Sequence, residues 1–118
     1  MPIILITPPP FDAAAWRKFR ELTVDGRANN VAKSYGEKVK EVGAKHNCKV
    51  LDSWQALEGE TMPNVYLSDG LHLNEKGNRK VYAGLLDLIK REHPHLAPQE
   101  EKSSVGIPLE GILWEELC

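Results

Sequence analysis

Asp69 and His72 stand three residues apart in the stretch Asp69-Gly70-Leu71-His72-Leu73-Asn74, with Gly77 shortly after. A carboxylate held against an imidazole fixes the tautomer of the ring and stabilises its protonated form, which is what a general base needs in order to activate a serine hydroxyl. The two residues therefore supply the proton-handling half of a hydrolytic triad. No nucleophile accompanies them. Ser68 would leave a strand on the face opposite Asp69. Ser34 falls in a predicted helix, Ser53 at a predicted cap, and Ser103 and Ser104 in a polar tail. Loss of a triad serine costs on the order of 10⁶ in turnover, and loss of one oxyanion donor about 10²–10³. An isolated Asp–His pair is not an esterase. The spacing alone is also a weak signal, because a hydrogen-bonded loop pair capping the next helix would use the same two residue types.

The elements that must position this pair can be read along the chain. Ile3 to Ile6 is a continuous branched run, as expected of a parallel strand covered on both faces, and Pro8-Pro9-Pro10 forces the chain out of the sheet. Asp12 is a plausible N-cap for a short helix with Trp16 and Phe19 on one side, and Val24-Asp25-Gly26 reads as a turn. From about Ala28 to His46, Val31, Tyr35, Val39 and Val42 mark the face of an amphipathic helix laid on the sheet, and Asn47 suits its end. Cys48 to Asp52 is a second strand, and Asp52-Ser53 can cap the brief helix that carries Trp54 and Leu57. Thr61 to Tyr66 is a loop. Asn74 caps a helix with an apolar face of Val81, Leu85, Leu88 and Ile89, which stops before Pro94. Beyond it the chain is polar and irregular, although Trp114 and its neighbours could dock somewhere.

Bulk properties exclude several functions. With 118 residues, 42% of them hydrophobic and 27% charged, the chain is one domain at most. A net charge of -2 without a basic stripe speaks against nucleic acid. Cys48 and Cys118 suggest neither a disulfide framework nor a zinc cluster, and Cys48 is expected at the edge of a core. No run is long enough to span a membrane, and no signal peptide is visible. His93-Pro94-His95 lacks a third ligand and reads as a solvated turn. Trp54 is expected to pack. Trp16 could equally pack or line a pocket.

Strands alternating with helices mean a layered α/β sheet, yet two strands are too few to bury such helices or satisfy the sheet edges. The run Ile4-Leu5-Ile6-Thr7-Pro8-Pro9-Pro10 with Trp16, then Val50-Leu51-Asp52, then Tyr66-Leu67-Ser68-Asp69-Gly70-Leu71-His72-Leu73-Asn74 with Lys76-Gly77-Asn78, resembles the C-terminal half of the GDSL/SGNH-type esterases. Within that family it is most like the isoamyl acetate-hydrolysing group and its plant GDSL members. The resemblance runs from about residue 2 to residue 92.

It implies a partial flavodoxin-like SGNH-hydrolase fold, a three-layer α/β/α arrangement with a parallel sheet whose N-terminal strands are missing. Residues 1–93 would be the C-terminal half of such a domain and 94–118 an irregular tail. It implies hydrolysis of small carboxylic esters by a Ser-His-Asp mechanism, with His72 as base, Asp69 as its supporting carboxylate, and neither cofactor nor metal. The family places its serine in a Gly-Asp-Ser motif and draws further oxyanion donors from a glycine and an asparagine. Neither Gly-Asp-Ser nor Gly-x-Asn-Asp occurs here. The expectation is a family member, cytoplasmic, inactive as this chain alone, or a truncated form that associates with a partner or a full-length esterase through an exposed sheet edge.

Overall fold

Asp12, Asp52 and Asn74 each stand one residue ahead of a helix, and each accepts a hydrogen bond in its first turn: Asp12 from the Ala15 amide, Asp52 from Gln55 and Asn74 from Gly77. These caps satisfy donors that a helix leaves open at its start, and so fix where the chain leaves each loop. A computed structural model describes residues 1–21, 27–61 and 63–98. In chain order the elements are β1 (Ile4–Ile6), α1 (Ala13–Arg20), α2 (Asn29–Lys45), β2 (Lys49–Leu51), α3 (Ser53–Ala56) and α4 (Glu75–Glu92). Two 3-10 turns, Pro63–Tyr66 and Pro94–Leu96, flank α4. The expected turn at Val24-Asp25-Gly26 and the tail beyond Pro98 lie outside the described residues.

Strands β1 and β2 pair in parallel, with Ile4 opposite Lys49, Leu5 opposite Val50 and Ile6 opposite Leu51. Successive side chains of a strand point to opposite faces, and the two faces receive different helices. A β-carbon on Gly43 of α2 would lie 2.4 Å from Val50 Cγ2, which puts α2 on the Leu5–Val50 face. One on Gly84 of α4 would lie 3.1 Å from Leu51 Cδ1, which puts α4 on the Ile6–Leu51 face. Helix, sheet and helix form the three layers of an α/β/α fold. At the end of β1, buried Thr7 ties the sheet to α3. Its carbonyl accepts from Ser53 Oγ at 2.5 Å, its amide donates to Leu51 O at 3.0 Å, and its hydroxyl accepts from the Trp54 amide at 3.3 Å.

Two sequence expectations about burial are corrected. Strand β1 is not covered on both faces, since Ile3 is 56% and Ile6 48% exposed; α4 lies over β2 and leaves Ile6 open. Of the Val31, Tyr35, Val39 and Val42 row expected on the sheet, Val39 is half-buried but Val31, Tyr35 and Val42 are exposed, and α2 meets the sheet along the row through Gly36 and Gly43, both buried. At 3.6 residues per turn the two rows stand roughly 100° apart. The helix approaches the strands through its glycines, because a side chain at Gly43 would meet both Val50 and the Cys48 carbonyl. An apolar count cannot register a face made of glycine.

Other expectations hold. Leu88 is buried and α4 ends at Glu92, ahead of Pro94. Cys48 is a half-buried free thiol. Trp54 is buried, with its indole N–H donating to Asn29 Oδ1 at 3.0 Å.

Candidate active site

The loop from Tyr66 to Asn74 is closed at its base before any chemistry is considered. Leu67 and Leu73 form an antiparallel bridge, Ser68 N donates to His72 O at 2.8 Å, and Asn74 N donates to Tyr66 O at 2.9 Å. Asn74 works twice more, capping α4 through its side-chain oxygen and donating from Nδ2 to Val65 O at 2.9 Å. Asp69 and His72 sit at the tip of this closed loop.

Asp69 organises the tip. Its Oδ1 accepts from the amides of Leu71 at 2.9 Å and His72 at 2.8 Å, a local turn typical of aspartate. That leaves Oδ2 facing His72 Nδ1 at 2.7 Å. Desolvation of this carboxylate, whose side chain is only 11% exposed, pushes its pKa up. The His72 amide, the His72 ring and the Leu71 amide outweigh that push and hold it down at about 2. Asp69 is therefore an anion throughout the neutral range. A hydrogen bond from Nδ1 to that anion places the neutral ring's proton on Nδ1 and leaves the lone pair on Nε2. The His72 side chain is 67% exposed, so Nε2 is presented outward.

The loop is seated on α1. Gly70 has φ +97°, and its carbonyl accepts from the Asp12 amide at 2.9 Å. A β-carbon there would lie 2.6 Å from both Asp12 O and Trp16 N, so only glycine allows this approach. Trp16 is buried beneath, with its ring 6.1 Å from the His72 ring and tilted by 60°. It packs against the imidazole, and Phe19 stacks with it at 6.1 Å while remaining exposed.

None of the described serines reaches His72 Nε2. Ser34 Oγ donates to Asn30 O, Ser53 Oγ to Thr7 O, and Ser68 Oγ to His72 O at 3.3 Å. Ser103 and Ser104 lie outside the described residues. Among the described residues no group of three His, Cys, Asp or Glu side chains could hold a metal ion. His93 and His95 stand edge to face at 6.4 Å, with His93 Nε2 buried and unpartnered among the described residues.

Two depressions flank α2. A cleft of about 310 Å³ lies on the β2 side, lined by Lys33, Glu37, Lys40, Asp52, Trp54 and Glu60. Within it Lys40 Nζ contacts Asp52 Oδ2 at 2.6 Å. Desolvation pushes the Asp52 pKa up, but this lysine and the Gln55 amide carry it below the usual range. On the other flank an apolar groove of about 220 Å³ is lined by Pro10, Phe11, Val31, Ala32, Tyr35 and Leu71. Neither Trp16 nor Trp54 lines it.

One residue that organises the loops around the site was not legible in the sequence. Asn29, at the start of α2, accepts from Phe11 N at 2.9 Å and from Trp54 Nε1, and donates from Nδ2 to Gly59 O at 2.6 Å. All three partners are distant in sequence, and an asparagine at a helix start reads only as a cap.

No protein-family model matches the chain. Similar proteins were found nonetheless. An isoamyl acetate-hydrolyzing esterase 1 homolog from Homo sapiens is 34% identical over 120 residues, covering 98% of this chain and 43% of that protein. Its counterpart from Mus musculus is 36% identical over 95 residues, covering 76% of this chain and 37% of its own length. A GDSL esterase/lipase from Arabidopsis thaliana is 33% identical over 97 residues, covering 76% of this chain and 39% of its own. Among solved structures, a lipase/acylhydrolase from Enterococcus faecalis superposes with a TM-score of 0.59 at 31% identity, over 75% of this chain and 42% of that one. The chain spans less than half the length of each of these relatives. By sequence and by fold together, the chain is similar to part of the GDSL/SGNH-type esterases.

Proposed function

We propose that Asp69 and His72 are the proton-handling pair of a carboxylic ester hydrolase acting on small acyl esters, and that this chain is inactive until a nucleophile and an oxyanion cradle are supplied to it. The observation that carries this reading is the 2.7 Å contact of Asp69 with Nδ1, which leaves an outward Nε2 with a lone pair and no serine beside it among the described residues. His72 Nε2 would take the proton of an incoming serine hydroxyl as its oxygen attacks the ester carbonyl. The same proton would pass to the departing alkoxide as the C–O bond breaks and an acyl-enzyme forms. Water then attacks the acyl carbon, giving a proton to Nε2, and that proton returns to the serine oxygen as the acyl–oxygen bond breaks and the acid leaves. Asp69 stays ionised throughout, orienting the ring and stabilising the imidazolium. No cofactor or metal enters these steps, and the setting is cytoplasmic.

A chimera tests this reading. The part of the human relative that lies outside the match is joined ahead of this chain and assayed on short p-nitrophenyl esters. The chimera hydrolyses them, and His72→Ala lowers turnover on the order of 10⁴-fold or more. The chain alone neither turns over these esters nor is labelled by a fluorophosphonate. Labelling of a serine in the chain alone, or an active chimera indifferent to His72, overturns the proposal.

A second reading, a non-catalytic truncated form that associates with a partner or a full-length esterase, is favoured by the uncovered Ile6 of β1 and Ile3 just ahead of the strand.

A further inference from the structure

Charge is distributed unevenly over the helices. Helices α2 and α4 mix acids with their cations, and pairs form within them, Lys38 with Glu41 at 3.3 Å and Arg91 with Asp87 at 3.0 Å. Lys40 also reaches Asp52 at 2.6 Å, and Lys49 of β2 reaches Glu92 at 3.4 Å. Helix α1 is built differently. It reads Ala-Ala-Ala-Trp-Arg-Lys-Phe-Arg, with no acid in it. Arg17, Lys18 and Arg20 are exposed, and none of them forms an ion pair among the described residues. The acids at its two ends are its caps, Asp12 ahead and Glu21 behind. In a chain of net charge -2, this helix is a local positive surface.

That surface adjoins the candidate site. Helix α1 is the seat of the Asp69–His72 loop, through the bond from the Asp12 amide to Gly70 O. Its Trp16 ring lies 6.1 Å from the His72 ring and 5.7 Å from the Arg20 guanidinium. The Arg27 guanidinium approaches the same indole at 5.4 Å. The imidazole and two guanidiniums thus share one ring as common neighbour. A guanidinium over an indole is held by cation–π attraction, and its N–H donors stay in its own plane, around its edge. A carboxylate accepts two such donors as a planar fork. The Asp69 charge nearby is engaged by three donors of its own loop.

We propose that this cationic rim sets the substrate class: the site takes small esters that carry a free carboxylate away from the reacting carbonyl, and Arg20 is the residue that reads it. With the carboxylate on Arg20, a spacer of a few carbons brings the ester carbonyl to the His72 side of Trp16. Arg27 reinforces the charge over the same indole. Arg17 and Lys18 draw the anion toward the rim at longer range. The inference rests on the proposed ester chemistry for its reacting group, while the charge preference itself is measured as binding, apart from turnover.

The test titrates the nitrogen-labelled chain with monomethyl glutarate, which carries one ester and one carboxylate, and in parallel with neutral dimethyl glutarate. The monoester moves the Trp16 indole N–H and the Arg20 side-chain signals along a saturable curve, and the diester does not. Arg20→Gln weakens binding about twofold to fivefold, the range of one exposed charge pair. Arg20→Lys restores part of the loss, and Lys38→Gln, which removes an equal charge from α2, changes nothing. In the chimera, Arg20→Gln raises KM for mono-p-nitrophenyl glutarate by the same factor at unchanged kcat and leaves p-nitrophenyl butyrate as it was. Equal shifts with both esters, no saturable shift, or binding indifferent to Arg20→Gln overturns the inference. So does binding to phosphatidylglycerol vesicles without any response to monomethyl glutarate, which makes the rim a lipid contact. A chimera that cleaves neither ester contradicts the proposed function, and the titration still decides the charge preference.

Discussion

Gly70→Ala tests how the Asp69–His72 loop is held. Gly70 sits at φ +97°, and an added β-carbon would stand 2.6 Å from Asp12 O and 2.6 Å from Trp16 N. A left-handed backbone costs an L-residue about 1–2 kcal/mol. The clash is with the backbone of the first turn of α1, which has no flexible end to swing away, so overpacking adds about 1–3 kcal/mol. Together these amount to roughly 2–5 kcal/mol against a domain stability of about 5–15 kcal/mol. Urea unfolding followed by tryptophan fluorescence measures the loss, since Trp16 and Trp54 are both buried. A parallel proton–carbon spectrum follows the His72 ring, whose shift depends on Trp16 at 6.1 Å. The variant is expected to unfold at a clearly lower urea concentration, with the His72 resonances moved toward those of a free imidazole. A stability within about 0.5 kcal/mol of the parent, the range of an ordinary surface change, together with unmoved His72 signals, would refute the account of the loop's seating.

Two further outcomes follow from the same contacts. Asp69, held down at about 2 against an ordinary value of 3.8, has a folded pKa below its unfolded one. Its stabilisation is therefore complete above the ordinary value and is lost as pH falls through about 2. A carboxyl-carbon titration should place its midpoint near 2, and a midpoint at 4 or above contradicts the three-bond assignment. Asn29→Ala removes three hydrogen bonds that tie Phe11, Trp54 and Gly59 together. It should cost about 2–4 kcal/mol, because half-buried donors are left unpaired. An unchanged urea midpoint would show that these bonds do not hold the loops.

What could be read from the sequence was local. Asp12, Asp52 and Asn74 were legible as caps because a cap acts on amides two or three residues ahead. The Asp69–His72 spacing was legible for the same reason, since the turn that joins them is closed by Asp69 itself. The row Val31, Tyr35, Val39 and Val42 was read as the sheet face because apolar periodicity marks what could be buried, and it cannot tell which neighbour is present. Gly36 and Gly43 lie off that row, and at Gly43 the lack of a side chain is what lets α2 touch the strands. Asn29 was invisible because its partners lie 18, 25 and 30 residues away. Trp16 was left between packing and pocket lining. It packs against His72 and does not line the apolar groove, a distinction that depends on where α1 is docked.

The most direct measurement is the tautomer of the neutral His72 ring, by long-range proton–nitrogen correlation on the nitrogen-labelled chain. A proton on Nδ1, with Nε2 carrying the lone pair, is what the Asp69 contact requires. Asp69→Asn should abolish that preference. A ring protonated mainly on Nε2 in the parent chain would leave no base facing outward and would remove the basis for assigning this pair to ester hydrolysis.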